Sequence, residues 1–227
     1  MGSSFIFDID GTLIDSVDLH AQAWQQTLAY FGFSIPYEEV RSQIGKGGDQ
    51  LLPVFVPRER LERLQEPMEQ FRGELFKRDY LPRVKPFPRV RELFERIKRD
   101  GHRIGLASSA KADEVEEYKS IAGVSDLVDA ETSSDEVDRS KPCPDVFEVI
   151  IDRLHVEPAR ALVFGDSPFD AIAATGAGLK TVGVLCGGFP EDQLRRSGCV
   201  AIYRDPADLA DHYDELAGLF TRAPQTP

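Results

Sequence analysis

Two carboxylates stand two residues apart in Asp8-Ile9-Asp10-Gly11-Thr12, directly after the apolar run Phe5-Ile6-Phe7. In extended chain such residues point to the same side, so both acids can converge on one site. Convergence is electrostatically costly unless a cation or a shared proton relieves it. Gly11 permits a tight turn or close ligand approach, and Thr12 adds a hydroxyl. By itself the pair reads equally well as an acidic, solvated turn after an edge strand. Three other places carry matching chemistry. Arg103 to Ala107 runs into Ser108-Ser109, hydroxyl and backbone donors that suit a phosphate at a helix start, although serines also cap helices routinely. Lys141, in Ser140-Lys141-Pro142-Cys143-Pro144-Asp145, lies just before a helical stretch, where a lone lysine is ordinarily a solvated charge. Ala161 to Phe164 runs into Gly165-Asp166-Ser167-Pro168-Phe169-Asp170, where either acid could serve as a helix cap.

The elements that must position these groups are legible as short apolar runs separated by helical stretches. Ser4 to Phe7, Arg103 to Ala107, Ala161 to Phe164 and Thr181 to Leu185 read as buried strands, with Val124 to Val128 and Cys199 to Tyr203 as weaker ones. Val90 to Arg99, Ala112 to Ile121, Asp145 to Leu154 and Phe169 to Ala174 have helical spacing. Alternation of this kind implies a parallel sheet covered on both faces, whose ligands sit at the carboxyl ends of the strands. From about Ser16 to Lys85 the alternation stops. Leu19, Ala23, Trp24, Thr27, Leu28 and Phe31 form a helical apolar stripe, and Arg58 to Arg78 is a second amphipathic run. The expected organisation is a core of residues 1–15 and 86–221, a helical insertion at 16–85 returning at Lys85-Pro86-Phe87-Pro88, and a disordered tail at 222–227.

The net charge of -12 argues against a nucleic-acid or anionic-membrane surface. An anionic substrate then needs a local cluster of cations or backbone donors. Cys143, Cys186 and Cys199 have neither zinc-ligand nor redox spacing and read as reduced thiols of a cytoplasmic protein. No apolar run is long enough for a membrane span, and the early Phe5-Ile6-Phe7 run leaves no room for a signal peptide. The oligomeric state is left open, a monomer being compatible with every feature read here.

Taken together, in this order and at these strand ends, the four elements resemble the haloacid dehalogenase superfamily over nearly the whole chain. The insertion resembles the helical cap of its phosphoglycolate-phosphatase and β-phosphoglucomutase-like branches. The fold implied is α/β, a Rossmann-like doubly wound parallel sheet with an inserted all-α cap. The resemblance implies that Asp8 is the nucleophile and forms an aspartyl phosphate, with Asp10 as general acid and base. It implies a Mg²⁺ ion held by Asp8, the backbone carbonyl of Asp10, and Asp166, with Asp170 supporting that shell. Ser108, the backbone around Ser109, and Lys141 would receive the phosphoryl oxygens.

Asp10 weighs against the halide-removing members, which lack the second acid. His20 and Trp24 resemble the His-x-x-x-Trp of the mutase-like branch. The loop Ile44-Gly45-Lys46-Gly47-Gly48-Asp49 resembles the substrate-specificity loop of this cap class. There the mutases carry an arginine where this chain has Gly48, and Lys46 lacks arginine's bidentate fork. Ala110 likewise lacks a hydroxyl that the mutases tend to have. The expectation is a phosphatase acting on a small phosphorylated metabolite, ahead of a hexose-phosphate mutase and of a non-catalytic binding protein. His20, Gly45 and Lys46 are expected near the substrate, and Arg41 and Gln50 are further possible contacts.

Overall fold

In the computed structural model, which describes residues 2–220, Phe5 and Phe7 enter one apolar layer and Ile6 the other. Their strand, β1 (Ser4–Phe7), is therefore buried on both faces, as a central strand of a parallel sheet must be. The chain passes through a short β2 (Ile14–Asp15) into four helices, α1 (Val17–Tyr30), α2 (Tyr37–Arg41), α3 (Gly48–Phe55) and α4 (Arg58–Asp79). It returns through β3 (Lys85–Pro86) and then alternates: α5 (Val90–Arg99), β4 (Arg103–Ala107), α6 (Ala112–Ala122), β5 (Ala130–Thr132), α7 (Asp145–Arg153) and β6 (Ala161–Gly165). The remaining elements are α8 (Pro168–Gly176), β7 (Lys180–Val184), α9 (Glu191–Arg196), β8 (Cys199–Tyr203), α10 (Pro206–Asp211) and α11 (Tyr213–Leu219).

Six strands form one parallel sheet in the order β5-β4-β1-β6-β7-β8. Residues of α5, α6, α10 and α11 cover one face, and residues of α7 and α8 cover the other. This is the doubly wound, Rossmann-like α/β architecture expected. The order turns back at β1, whose neighbours are β4 and β6, and the crevice at such a reversal is where ligands bind. Register sharpens this. Phe7 lies beside Leu106 and Phe164, so the next residues out of the sheet on three adjacent strands are Asp8, those after Ala107, and those after Gly165.

One strand expectation fails. Val124 to Val128 forms a turn, and the edge strand is β5, slightly later. Gly123, in the left-handed conformation at φ 67°, ends α6, and the Val124 amide turns back to donate to the Lys119 carbonyl. An amide spent on closing a helix is lost to the ladder, so the apolar Val124 anchors the turn.

The four helices between β2 and β3 carry their own apolar cluster, including Val17, Trp24, Leu28, Leu51, Leu52 and Met68. Their entry and exit segments pair antiparallel, Ile14 with Pro86 and Asp15 with Lys85. The three cysteines are free thiols. The tail expected at 222–227 lies outside the described residues.

The sheet centre is held by aromatic packing. Phe164 stacks on Phe7 with centroids 4.7 Å apart and on Phe5 at 5.6 Å. Phe164→Ala empties that centre and should cost about 3–5 kcal/mol in urea unfolding. A shift smaller than about 1 kcal/mol would show that the stack contributes little.

Candidate active site

Asp8 is the first residue past β1, and its amide still donates to the Phe164 carbonyl at 2.8 Å, so its backbone is fixed by the sheet. Its Oδ1 accepts from Lys141 Nζ at 2.6 Å and its Oδ2 from Thr12 Oγ1 at 3.1 Å. The turn that brings Thr12 back depends on Gly11 at φ +81°. A Cβ on Gly11 would also lie 2.4 Å from Asp166 Oδ2, and one on Gly187 would lie 1.7 Å from the same oxygen. Two bare glycines thus make room for Asp166.

Lys141 is fully buried. Its ammonium lies 2.6 Å from Asp8, 2.8 Å from Asp170 Oδ1 and 2.7 Å from the Ala107 carbonyl. The Asp170 contact is a buried ion pair. Asp170 Oδ2 closes a capping box at the start of α8, accepting from the Ser167 amide at 3.1 Å and hydroxyl at 2.6 Å. One side chain therefore both starts the helix and steers the lysine.

Three buried carboxylates, Asp8, Asp166 and Asp170, have oxygens within 4.8 Å of one another. Burial, followed by the charge of Asp170, raises the Asp8 carboxyl to about 7 despite Lys141. Burial and the charges of Asp8 and Asp170 push Asp166 well above the usual carboxylate range. Burial opposes the Lys141 charge, but Asp170 and Asp8 outweigh it and hold the ammonium protonated. Ionised, three acids and one lysine leave two negative charges in a buried space. Oxygen donors and a double negative charge fit a hard divalent cation.

Asp10 faces elsewhere. Its Oδ1 accepts from Ser16 Oγ at 2.5 Å and pairs with His20 Nε2 at 2.8 Å. Burial works against its charge, and His20, Ser16 and Arg72 together outweigh burial, so its carboxyl lies below the usual range. His20 is buried, stacked on Phe76 with centroids 4.0 Å apart, and its Nδ1 lies 2.6 Å from Arg72 Nη2. An arginine can only donate. Nδ1 therefore accepts, and Nε2 carries the proton that faces Asp10.

Asp8, Asp10, His20, Gly45, Lys46, Ser109 and Arg72 meet around a cleft of about 390 Å³. Ser108 stands behind it, buried, with its hydroxyl accepting from the Ala110 amide at 3.0 Å. Gly45 lies at the boundary with the core, where its carbonyl accepts from Ser109 Oγ at 3.3 Å and a Cβ would meet Ser167. Lys46 sits over the Phe169 ring at 4.8 Å. Arg41 is spent on Asp18, at 2.7 Å, and on the Gly187 carbonyl, and Gln50 on Asp49.

Several participants escaped sequence reading. Arg72 pairs with buried Glu114 of α6 at 2.8 Å and joins Tyr118 around His20. Asp49 accepts from both the amide and hydroxyl of Ser140, next to Lys141. A signal for Arg72 existed: it falls on the stripe of Met68, Leu75 and Phe76, and a charge on a buried stripe needs a partner.

Residues 5–184 match the family model described as haloacid dehalogenase-like hydrolase. The chain belongs to that family. Among relatives of this haloacid dehalogenase-like hydrolase is the "Phosphorylated carbohydrates phosphatase" of Thermotoga maritima, 28% identical over 215 residues, covering 93% of this chain and 98% of that protein. The "Phosphoglycolate phosphatase" of Aquifex aeolicus is 30% identical over 187 residues, covering 80% and 84%. The crystal structure of a hydrolase from Pseudomonas syringae superposes with a TM-score of 0.82 at 29% identity, covering 94% and 98%. The chain falls in the phosphoglycolate-phosphatase and β-phosphoglucomutase-like branch, and phosphoric monoester hydrolysis is the enzyme class that family and relatives give it.

The acid cluster makes the cation-free protein sensitive to pH. Asp8, raised from 3.8 to about 7, favours the folded state when protonated. That contribution is complete below 3.8 and disappears as pH rises through about 7, and Asp166 acts with the same sign. Melting temperature in EDTA should therefore fall between pH 5 and 8, and added Mg²⁺ should recover it most at pH 8. A melting temperature in EDTA that stays flat or rises over that range would contradict the arrangement.

Proposed function

We propose that this chain is a Mg²⁺-dependent phosphatase that hydrolyses a small phosphorylated metabolite through an aspartyl phosphate on Asp8. The observation that carries the reading is the pairing of a buried, Lys141-bound carboxylate with a second acid, Asp10, at one cleft. A carboxylate oxygen of Asp8 bonds to phosphorus as the bond to the leaving oxygen breaks. In its protonated form Asp10 gives its proton to the leaving alkoxide, while Ser16 and the Nε2–H of His20 hold its carboxyl at the cleft. Asp10 then takes a proton from water as the water oxygen bonds to phosphorus and the bond to Asp8 breaks, releasing inorganic phosphate. Lys141 and the Ser109 region balance the phosphoryl charge. Asp8, the Asp10 carbonyl and Asp166 would hold Mg²⁺, which neutralises the excess carboxylate charge and polarises the phosphoryl oxygens when bound.

The relatives' names, a phosphatase of phosphorylated carbohydrates and one of phosphoglycolate, support a small phosphorylated substrate. Among the described residues no helix is long and apolar enough to cross a membrane. We place the enzyme in the cytoplasm, with residues 16–85 acting as a cap over the core. A mutase would need to grip a second phosphate near Gly48, and the side chain packed there is Glu69, an acid.

Asp8→Asn should lower Mg²⁺-dependent release of phosphate from p-nitrophenyl phosphate by on the order of 10³-fold or more. Asp10→Asn should cost about 10²–10⁴ in kcat/KM for an alkyl phosphate. Its cost should be much smaller for p-nitrophenyl phosphate, whose leaving oxygen needs no proton. Undiminished turnover by Asp8→Asn would remove Asp8 as the nucleophile, and equal losses on both esters would remove Asp10 as the acid.

A further inference from the structure

A second cleft of about 410 Å³ adjoins the first and shares Trp24, Lys46, Arg72, Ser109 and Ala110 with it. A leaving group whose phosphate sits at Asp8 would extend into this space. Its walls mix charges: Lys46, Arg72 and Lys111 against Glu69 and Glu114. One of the three cations is neutralised by an acid and a second is held by an uncharged partner. Arg72 is paired with Glu114, and Lys46 donates to Gln43 Oε1 at 2.6 Å while lying over Phe169. Lys111 stands at the exposed edge.

Glu69 is the group left over. Among the described residues its carboxylate has one hydrogen-bond donor, Gln65 Nε2 at 3.1 Å, and no ion pair within 4 Å. It packs on the bare backbone of Gly48, where a Cβ would come within 2.7 Å of Oε1. Any side chain at 48, a cation included, would have to displace it. Partial burial raises its carboxyl, as expected of an acceptor short of donors.

We propose that Glu69 is a specificity-determining residue whose carboxylate accepts hydrogen bonds from hydroxyls of the leaving group, so that the enzyme takes polyol monophosphates and discriminates against leaving groups with a carboxylate or second phosphate. The proposal rests on the phosphatase reading above. A hydroxyl supplies the donor that Glu69 lacks, whereas an anion meets a like charge in a partly desolvated cleft. Sites built to hydrogen-bond a hydroxyl discriminate strongly, because a ligand that displaces the water around the acceptor without offering a donor leaves it unpaired.

The test measures kcat/KM with Mg²⁺ for four probes: glucose 6-phosphate, phosphoglycolate, fructose 1,6-bisphosphate and p-nitrophenyl phosphate. The wild type should favour glucose 6-phosphate over phosphoglycolate and the bisphosphate by about tenfold or more. Glu69→Gln keeps the shape but removes the charge, and should lower the ratio of glucose 6-phosphate to phosphoglycolate by about tenfold. Glu69→Lys should raise the bisphosphate relative to p-nitrophenyl phosphate. Thermal melts check that both variants are folded. A wild type that prefers phosphoglycolate, or variants in which all four substrates change by the same factor, would overturn the role of Glu69 while leaving the phosphatase reading intact. A wild type that releases no phosphate from any probe would overturn both.

Discussion

Three carboxylates crowded around one buried ammonium are the constraint to which the rest of the site answers. Burying like charges together is unfavourable, and a fold tolerates it only where the backbone is rigid enough to prevent escape. Here each acid is held by an element with another reason to be where it is. Asp8 continues a central strand, and Asp170 completes the first turn of α8. Asp166 is wedged between Gly11 and Gly187, where no larger residue fits. Lys141 offsets the carboxylate charge only in part, and the remainder fits a hard divalent cation.

The sheet explains why these groups meet. In-register parallel pairing of β1 with β6 places the ends that lead to Asp8 and Asp166 side by side at the reversal of strand order, and Lys141, 133 residues from Asp8 in sequence, reaches them from the loop before α7. Strand ends are readable because buried strands are short, apolar and bounded. For that reason Asp8 and Asp166 could be named from residue type and position, and β4, β8 and α5 have the ends their apolar runs suggested. Val124 to Val128 misled because apolarity reports burial, and a buried turn after a glycine cap is as apolar as a strand.

The helical side was less legible for a different reason. Its contributions come from helices packing across one another, which linear spacing does not encode. His20 could be suspected from its place in the motif, but not its stack on Phe76 or its link through Arg72 to Glu114. The Gly48 position could be read as a missing cation, whereas the presence of Glu69 in that space required three dimensions. Ser108 is a case of position that type alone does not give: its hydroxyl accepts from the Ala110 amide in the local turn behind the cleft.

The pairing of β2 with β3 has a consequence for how this architecture can vary. Asp15 and Lys85 are partners across an antiparallel ladder, so their Cα atoms are about 5 Å apart. The chain thus leaves and re-enters the core at one point, although Ala23, Leu75, Phe76 and Tyr80 of the inserted segment also pack into the apolar layer on the sheet. Substitutions on those helices that spare the contacts of His20 with Asp10 and of Asp49 with Ser140 can accumulate without disturbing the buried charges, so the helical side and the strand ends are free to change on separate schedules.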